Sequence, residues 1–263
     1  MISVLASILR FAFRSLLLVS FMVFFLLPLM MRVNHHRGLD TPAGARKADT
    51  GAIRVATMLL WFFGVRVKAI GTPAHAPVLI VANHISWMDI LALHCVRAMG
   101  FVAKAEIDRW PLFSYVARTG GTIFHQRGSH DSANDVAVLM AQRLRQGRRV
   151  AIFPEGGILP GTSIRVFHAR MFRAAVEAPC PVQPVMVRYM HNGHRDDDVS
   201  FREGESMMMN LGRMLARPAT EAEIHFLAPI DAVGKPRRAL ADAARAAVIS
   251  SFEGRPGARV KTD

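Results

Sequence analysis

Residues 78–89 read VLIVANHISWMD, and this stretch decides the fold. The apolar run from Val78 to Ala82 predicts a short strand buried on both faces, and the pattern from Met88 to Ala98 predicts a helix directly after it. His84 then lies where the strand ends, and Asp89 lies in the first turn of the helix, from which its carboxylate can reach the imidazole. This geometry suits a general base with its orienting acid, and equally a capped turn in which the histidine only packs.

Short apolar runs alternate with helical patterns from Val65 onward, which is typical of β-α-β units. We therefore predict an α/β protein with a mostly parallel sheet and helices on both faces, preceded by an N-terminal membrane-associated helical segment. The predicted domains are 1–64 (membrane-anchoring helices), 65–253 (the α/β domain) and 254–263 (a flexible tail). Strands are predicted at 65–70, 78–82, 101–103, 122–125, 149–153, 182–188 and 223–227, and helices at 88–98, 111–117, 132–146, 167–177 and 207–215.

The N-terminal segment contains an uncharged apolar run of seventeen residues, Ser15 to Met31. Such a helix is about 25 Å long, short of the roughly 30 Å needed to cross a hydrocarbon core. No signal-peptidase pattern follows it, so a retained anchor is predicted. A second apolar stretch, Val55 to Val65, predicts a helix that lies in the membrane interface or covers the sheet. With the polar segment Asn34 to Thr50 between them, the two helices either enter one leaflet as a hairpin or place one helix across the bilayer.

The composition limits the classes of function. The formal net charge is +13 and the pI is near 11.2, which favours an anionic partner such as a phospholipid surface, a phosphorylated substrate or nucleic acid. The two cysteines, Cys95 and Cys180, are too few for a disulfide framework and suit a reducing compartment. The chain has no phosphate-loop, dinucleotide-binding or Gly-x-Ser-x-Gly pattern, and its histidines lack zinc-ligand spacing. We therefore expect neither a metal nor a cofactor.

Polar side chains and glycines follow two further predicted strands. Arg127 follows the fourth strand, and Glu155, Gly156 and Gly157 follow the fifth. Ligand sites in open α/β sheets form at the carboxyl ends of the strands. Paired glycines let the backbone approach a ligand closely. The sequence therefore predicts one site at this edge, shared with the histidine.

Four ordered sequence blocks resemble the glycerolipid acyltransferase family, the group that contains the 1-acylglycerol-3-phosphate O-acyltransferases. They have the spacing usual in that family, and the stretch FVAKAE at 101–106 is also similar to it. The resemblance covers about residues 65–187. One block alone is a weak signal, whereas four in the same order are specific. The blocks are Asn83-His84-x4-Asp89, Gly121-x-x-Phe124-x-x-Arg127, Phe153-Pro154-Glu155-Gly156 and Pro181-x-x-Pro184-Val185.

The resemblance implies transfer of a fatty acyl group from acyl-CoA or acyl carrier protein to the free hydroxyl of a lysophospholipid. The favoured acceptor is 1-acylglycerol-3-phosphate. His84 would take the hydroxyl proton while Asp89 orients its ring. One arginine would clamp the acceptor anion, a glutamate would position the acceptor or a basic side chain, and backbone amides near the glycines would stabilise the oxyanion. The substrate-binding residues implied in this way are Arg127, Glu155, Gly156, Gly157 and Lys104.

Departures from the family pattern leave the acceptor open. Gly157 and Ile158 stand where the family often has threonine followed by arginine or serine, which weakens a phosphate site, so a lyso-aminolipid such as lyso-ornithine lipid is the alternative. A noncatalytic protein that binds anionic membranes is the rival from another class, and the intact pair of His84 and Asp89 argues against it. No nucleic-acid partner is expected. We expect the protein at the cell inner membrane, with its active site on the cytoplasmic face.

Overall fold

The computed structural model describes residues 2–38, 42–104, 114, 117–118, 120–125, 130–158 and 163–254. Within these residues, eight strands form one sheet: β1 (Val65–Ile70), β2 (Val78–Ala82), β3 (Gly100–Lys104), β4 (Ile123–His125), β5 (Arg149–Ile152), β6 (Val182–His191), β7 (His194–Arg195) and β8 (Thr220–Phe226). Their order is β1-β8-β6-β2-β5-β3-β4, and β7 pairs with the end of β6. Neighbours are parallel except where β6 meets β7 and β8. The predicted class, a mostly parallel sheet covered by helices, is confirmed.

Helices precede the sheet and connect its strands. In chain order they are α1 (Ile2–Phe21), α2 (Leu27–Gly38), α3 (Pro42–Phe62), α4 (Met88–Val96), α5 (His130–Arg145), α6 (Arg173–Glu177), α7 (Met207–Ala216) and α8 (Arg237–Phe252). A π-helical turn, Met22–Leu26, joins α1 to α2. It lies just before Pro28, whose missing N–H and bulky ring disturb the hydrogen bonding of the preceding turn.

The strands lie close to their predicted positions. The first two have the predicted bounds, and the other predicted strands differ by one to three residues at an end. The added strand β7 was not predicted, although the sequence carries the signal for it. Asn192 and Gly193 both have positive φ angles, 51° and 80°, as the two central residues of a tight hairpin require. This turn folds β7 back on the end of β6.

Two helix predictions need correction. The helix predicted at 167–177 is a short 3-10 helix, Ala169–Phe172, followed by α6. The C-terminal helix α8 was missed because two of the five residues in its buried stripe are alanines, which give a faint hydrophobic pattern. The helix predicted at 111–117 lies largely outside the described residues, as does the predicted tail beyond Gly254.

The N-terminal helices are longer than predicted. Helix begins near residue 2 rather than at Ser15, and most of the segment Asn34 to Thr50, predicted as a polar connection, is helical. Charged residues lower the hydropathy there without breaking a helix, and Pro42 suits the first turn of α3. Residues Val4–His36 form a continuous helical stretch of 33 residues that contains an 18-residue window with mean hydropathy 2.4, long and apolar enough to cross a membrane by length and composition alone.

Two apolar clusters hold these parts together. The main cluster fills the space between the sheet and its helices, and every residue of β2 is buried in it, as expected of a central strand covered on both faces. A smaller cluster packs the N-terminal helices against each other through Phe21, Leu26, Met30, Val55 and Phe62. The carboxyl ends of β2, β3, β4 and β5 meet at one edge because these strands are parallel.

Candidate active site

The imidazole of His84 and the carboxylate of Asp89 meet at this edge. Nδ1 of His84 lies 2.9 Å from Oδ2 of Asp89, and the same oxygen accepts the backbone N–H groups of Ile85 at 2.7 Å and Ser86 at 2.9 Å. The chain turns sharply from β2 into α4, so the first helical turn carries the carboxylate back over the loop. The predicted pairing of these two residues is present in the structure.

Asp89 is fully buried, with 0% of its side chain exposed, whereas the side chain of His84 is 12% exposed. An ionised carboxylate only accepts hydrogen bonds, so the contact with Asp89 places the proton of neutral His84 on Nδ1. Nε2 then carries a lone pair, and the described part of the chain offers it no hydrogen-bond donor. The arrangement can therefore accept a proton at Nε2 and stabilise the resulting imidazolium.

A tyrosine that the sequence analysis did not single out completes the shell around Asp89. The hydroxyl of Tyr189, on β6, donates a hydrogen bond of 2.7 Å to Oδ1 of Asp89. Its only sequence signal is a polar tip in an otherwise mostly apolar strand. The contact requires β6 to lie beside β2, which is a property of the sheet order.

Glu155 joins two loops of the site. Its Oε1 accepts the backbone N–H of His84 at 2.9 Å, and its Oε2 accepts that of Arg165 at 2.8 Å. Burial raises the pKa of Glu155, while these two backbone hydrogen bonds and the charge of His84 oppose that rise. The carboxylate thus supports the backbone on which the imidazole is mounted.

The glycines after Glu155 form a turn. Gly156 has a φ of +80°, and its N–H donates to the carbonyl of Phe153 at 3.2 Å. A Cβ built at Gly157 would meet open space. The described residues include no acceptor for the N–H of Gly157. The backbone at Gly157 therefore has room for a ligand.

Two further predicted site residues are only partly placed. Lys104 is the last residue of β3, in register with His125 of β4, so its backbone lies at the same edge of the sheet as His84. Its side chain is outside the described part of the structure. Arg127 also lies outside the described residues, and its predicted role as an anion clamp stays a prediction.

The residues flanking His84 anchor the loop to the rest of the fold. Asn83 bridges β2 and β6, since its side chain donates to the carbonyl of Val187 at 2.8 Å and accepts the N–H of that residue at 2.7 Å.

Trp87 donates its indole N–H to Oδ1 of Asn210, on α7, at 2.9 Å. It also packs edge-on against Phe63, directly after α3, with ring centroids 5.1 Å apart. The N-terminal helices are thereby joined to the loop that carries the pair.

Two other kinds of residue could carry chemistry, namely metal ligands and cysteines. In the described part of the chain, no group of three or more His, Cys, Asp or Glu residues could hold a metal ion. Cys95 and Cys180 are unpaired by disulfide, and burial raises the pKa of each thiol.

Comparison with known proteins identifies the family. The family model described as Acyltransferase matches residues 64–188. The chain is 39% identical over 186 residues to the lyso-ornithine lipid O-acyltransferase of Pseudomonas aeruginosa. The aligned residues cover 71% of each protein. It is 30% identical over 167 residues to the 1-acyl-sn-glycerol-3-phosphate acyltransferase of Neisseria gonorrhoeae, covering 63% of this chain and 65% of that protein.

A solved structure has the same fold. The crystal structure of the 1-acyl-sn-glycerophosphate (LPA) acyltransferase PlsC from Thermotoga maritima aligns with a TM-score of 0.71 at 19% identity, over 99% of this chain and 100% of that one. The shared fold and the sequence similarity agree with the family resemblance of the four sequence blocks. On this evidence the chain belongs to the acyltransferase family.

Proposed function

We propose that this protein transfers a fatty acyl group from a thioester, acyl-CoA or acyl carrier protein, to the free hydroxyl of a lysolipid, with His84 as general base. The observation that carries the proposal is the 2.9 Å contact between Nδ1 of His84 and the buried carboxylate of Asp89. A protein that only binds lipid has no need of an imidazole oriented by a buried acid. Family membership supports the same class of reaction.

The reaction needs no covalent intermediate on the enzyme. Nε2 of His84 takes the proton from the acceptor hydroxyl as its oxygen attacks the carbonyl carbon of the thioester. The tetrahedral intermediate then collapses, the C–S bond breaks, and the departing thiolate takes the proton from the imidazolium. Asp89 stabilises that imidazolium while it exists. The products are the acylated lipid and the free thiol of the carrier.

The oxyanion of the tetrahedral intermediate needs a donor beside the imidazole. The N–H of Gly156 is engaged in a turn, whereas the described residues include no acceptor for the N–H of Gly157, where a Cβ would also meet open space. We assign oxyanion stabilisation to the backbone at Gly157, where a fixed dipole costs no reorganisation during the reaction.

For the acceptor we propose lyso-ornithine lipid, with 1-acylglycerol-3-phosphate as the second candidate. The relative named for the first substrate is 39% identical to this chain, and the relative named for the second is 30% identical. Lyso-ornithine lipid presents a carboxylate and an amine rather than a phosphate. A guanidinium at Arg127 can bind either anion, with Lys104 as a second cation, and the apolar Ile158 after Gly157 offers no further charge for a phosphate.

We further propose that the N-terminal helices hold the protein on an anionic membrane, at the cytoplasmic face of the inner membrane. Along α1, the π-helical turn and α2, large apolar side chains are exposed, and Trp61 on α3 adds an exposed aromatic ring. Trp87 links the adjoining Phe63 to the loop of His84, so the proposed membrane-facing helices adjoin the site. A lysolipid could then reach the imidazole from the bilayer surface.

The test is acyl transfer by the full-length protein, in membranes, from labelled acyl-CoA or acyl carrier protein to a panel of lysolipids. Wild type should acylate one acceptor preferentially, and His84→Ala should lower its turnover by about 10³-fold, the range of general base catalysis. The exposed histidine of the β7 hairpin provides a matched control, and His194→Ala should act as wild type does. Full turnover by His84→Ala would remove the proposed base, and no turnover by wild type with any acceptor would favour a noncatalytic membrane-binding protein.

A further inference from the structure

Tyr189 completes the set of donors around the carboxylate of Asp89. Oδ2 accepts one bond from His84 and two from the backbone, and Oδ1 accepts the hydroxyl of Tyr189 at 2.7 Å. The tyrosine comes from a different strand, 100 residues further along the chain. We infer that Tyr189 is a positioning residue that keeps the carboxylate of Asp89 ionised and aimed at His84. The inference rests on the proposed function of that pair.

The hydroxyl is suited to this task because it stays a donor. Tyr189 is buried, and burial together with the negative charge of Asp89 holds the pKa of Tyr189 well above its usual value. The phenol therefore keeps its proton over the pH range in which an acyltransferase would be assayed. A buried carboxylate without such donors carries a large desolvation cost.

Loss of the hydroxyl should act mainly on the resting state of the pair. With neutral His84, the buried carboxylate of Asp89 has no cationic hydrogen-bond partner and depends fully on its neutral donors. With protonated His84, the imidazolium neutralises part of that charge, so the donor from Tyr189 contributes less. Removing the hydroxyl therefore destabilises the active form more than the protonated form. The acid limb of the profile of kcat/KM against pH should move to higher pH.

Other charged or titratable groups near the pair do not replace this donor. Glu155 is itself an acid and contacts the backbone of His84. Cys95, on α4, interacts electrostatically with Tyr189, and burial raises its pKa, so the thiol stays neutral. Among the described residues, these two neighbours, an acid and a neutral thiol, make no hydrogen bond to Asp89.

The substitution Tyr189→Phe removes the hydroxyl alone. The backbone of Tyr189 remains paired with Ala222 of β8, and its carbonyl still accepts the N–H of Asp196 at 2.9 Å. The ring keeps its place in the core. We expect kcat/KM at pH 7 to fall about 10-fold and the acid limb to rise by about one pH unit, the effect typical of losing a hydrogen bond to a charged group.

A second substitution separates positioning from general support of the fold. If Tyr189 acts through Asp89, then Tyr189→Phe should cost no further activity in an Asp89→Asn background. Thr220→Val is the matched control. It removes a buried hydroxyl that bonds the carbonyl of Met190 at 3.0 Å, next to Tyr189, and does not touch the pair. It should leave the pH profile unchanged. Circular dichroism and thermal unfolding would verify that every variant is folded.

The outcomes distinguish the two levels of the proposal. An unchanged pH profile and unchanged turnover in Tyr189→Phe, with His84→Ala inactive, would overturn the role of Tyr189 and leave the function standing. A loss that is additive with Asp89→Asn and has no pH shift would also overturn it, because a merely structural role predicts that result. Full activity of His84→Ala would instead remove the proposed function.

Discussion

The imidazole of His84 lies parallel to the ring of Phe153, with centroids 3.8 Å apart and an interplanar angle of 11°. Phe153 directly follows β5, the neighbour of the strand that ends before His84. A parallel stack fixes the plane of the imidazole, while the contact with Asp89 fixes its rotation within that plane. An aromatic face also attracts a cation, so the stack favours the imidazolium that forms during proton transfer.

Replacing Phe153 should therefore affect turnover more than substrate binding. We expect Phe153→Leu to lower kcat about 10-fold, equivalent to about 1.4 kcal/mol, because the leucine fills space without presenting a π face. Phe153→Tyr keeps the face and should retain most of the activity. Steady-state kinetics would give kcat and KM separately. Equal activity of the leucine and tyrosine variants would show that the stack only packs.

Asn83 should be important for stability and for the placement of its neighbour. Asn83→Ala would leave the backbone N–H and carbonyl of Val187 without their partners, at a cost of about 2 to 4 kcal/mol in the free energy of unfolding. Gln183→Ala is the matched control, since Gln183 also bonds the backbone of neighbouring segments from inside the sheet. Denaturant unfolding should show destabilisation in both variants. Only Asn83→Ala should also lower kcat, because His84 follows it directly.

The pair at the centre of the site was predictable because its members are five residues apart. Only a strand, a turn and one helical turn are needed to bring His84 and Asp89 together. The contact between Asp89 and Tyr189 spans 100 residues and depends on which strands are neighbours. Local periodicity predicts that a strand exists and says little about its neighbours. The stack of His84 on Phe153 was missed for the same reason.

The N-terminal region shows a different limit of sequence reasoning. Its apolar centre predicted a helix correctly, but the helix bounds were wrong because charged and small residues lower hydropathy without ending a helix. Tertiary contacts from the middle of α1 hold it in place. Arg10 and Arg14 donate to the last two carbonyls of α7, at Leu215 and Ala216, and to that of Arg217 directly after it, which fastens α1 to the α/β domain.

Gly156 should be required for its conformation rather than for its small size. Its φ is +80°, and a Cβ there would make only ordinary contact with His168, at 3.5 Å. Gly156→Ala should cost about 1 to 2 kcal/mol through backbone strain and should shift the turn that carries Glu155. Gly147→Ala introduces the same kind of strain, at a φ of +73° with nothing nearby, after α5. The melting temperature should fall in both variants, and the rate of acyl transfer should fall in Gly156→Ala alone.

Glu205 should make the stability of the protein depend on acid pH. Its hydrogen bonds to Arg213 lower the pKa of Glu205 from 4.5 to about 2. A lowered pKa means that the folded state favours the ionised form, so this contribution is present above pH 4.5 and is lost as the pH falls toward 2. Glu205→Gln should therefore lower the melting temperature clearly at pH 7 and progressively less between pH 4 and pH 2. The control Glu203→Gln, at an exposed position, should be neutral throughout, and a difference that grows on acidification would contradict the assignment.

Membrane binding should depend on the apolar surface of the N-terminal helices. Phe24 and Phe25 expose 68% and 61% of their surface, and Val233, far along the chain before α8, exposes 67%. Replacing both phenylalanines with aspartate should weaken binding to anionic phospholipid vesicles by more than 100-fold, because each of the two charges in the apolar layer costs about 2.5 to 3.5 kcal/mol. Val233→Asp makes a similar change on a similarly exposed side chain and should bind as wild type does.

The net charge of +13 offers a competing explanation for membrane binding, attraction to the headgroups. Salt at 1 M would screen this attraction to a range of about 3 Å. Binding that survives this salt in wild type and is lost in the double aspartate variant would support insertion of the helices. Binding that salt abolishes, with equal affinity for both proteins at low salt, would assign it to charge alone.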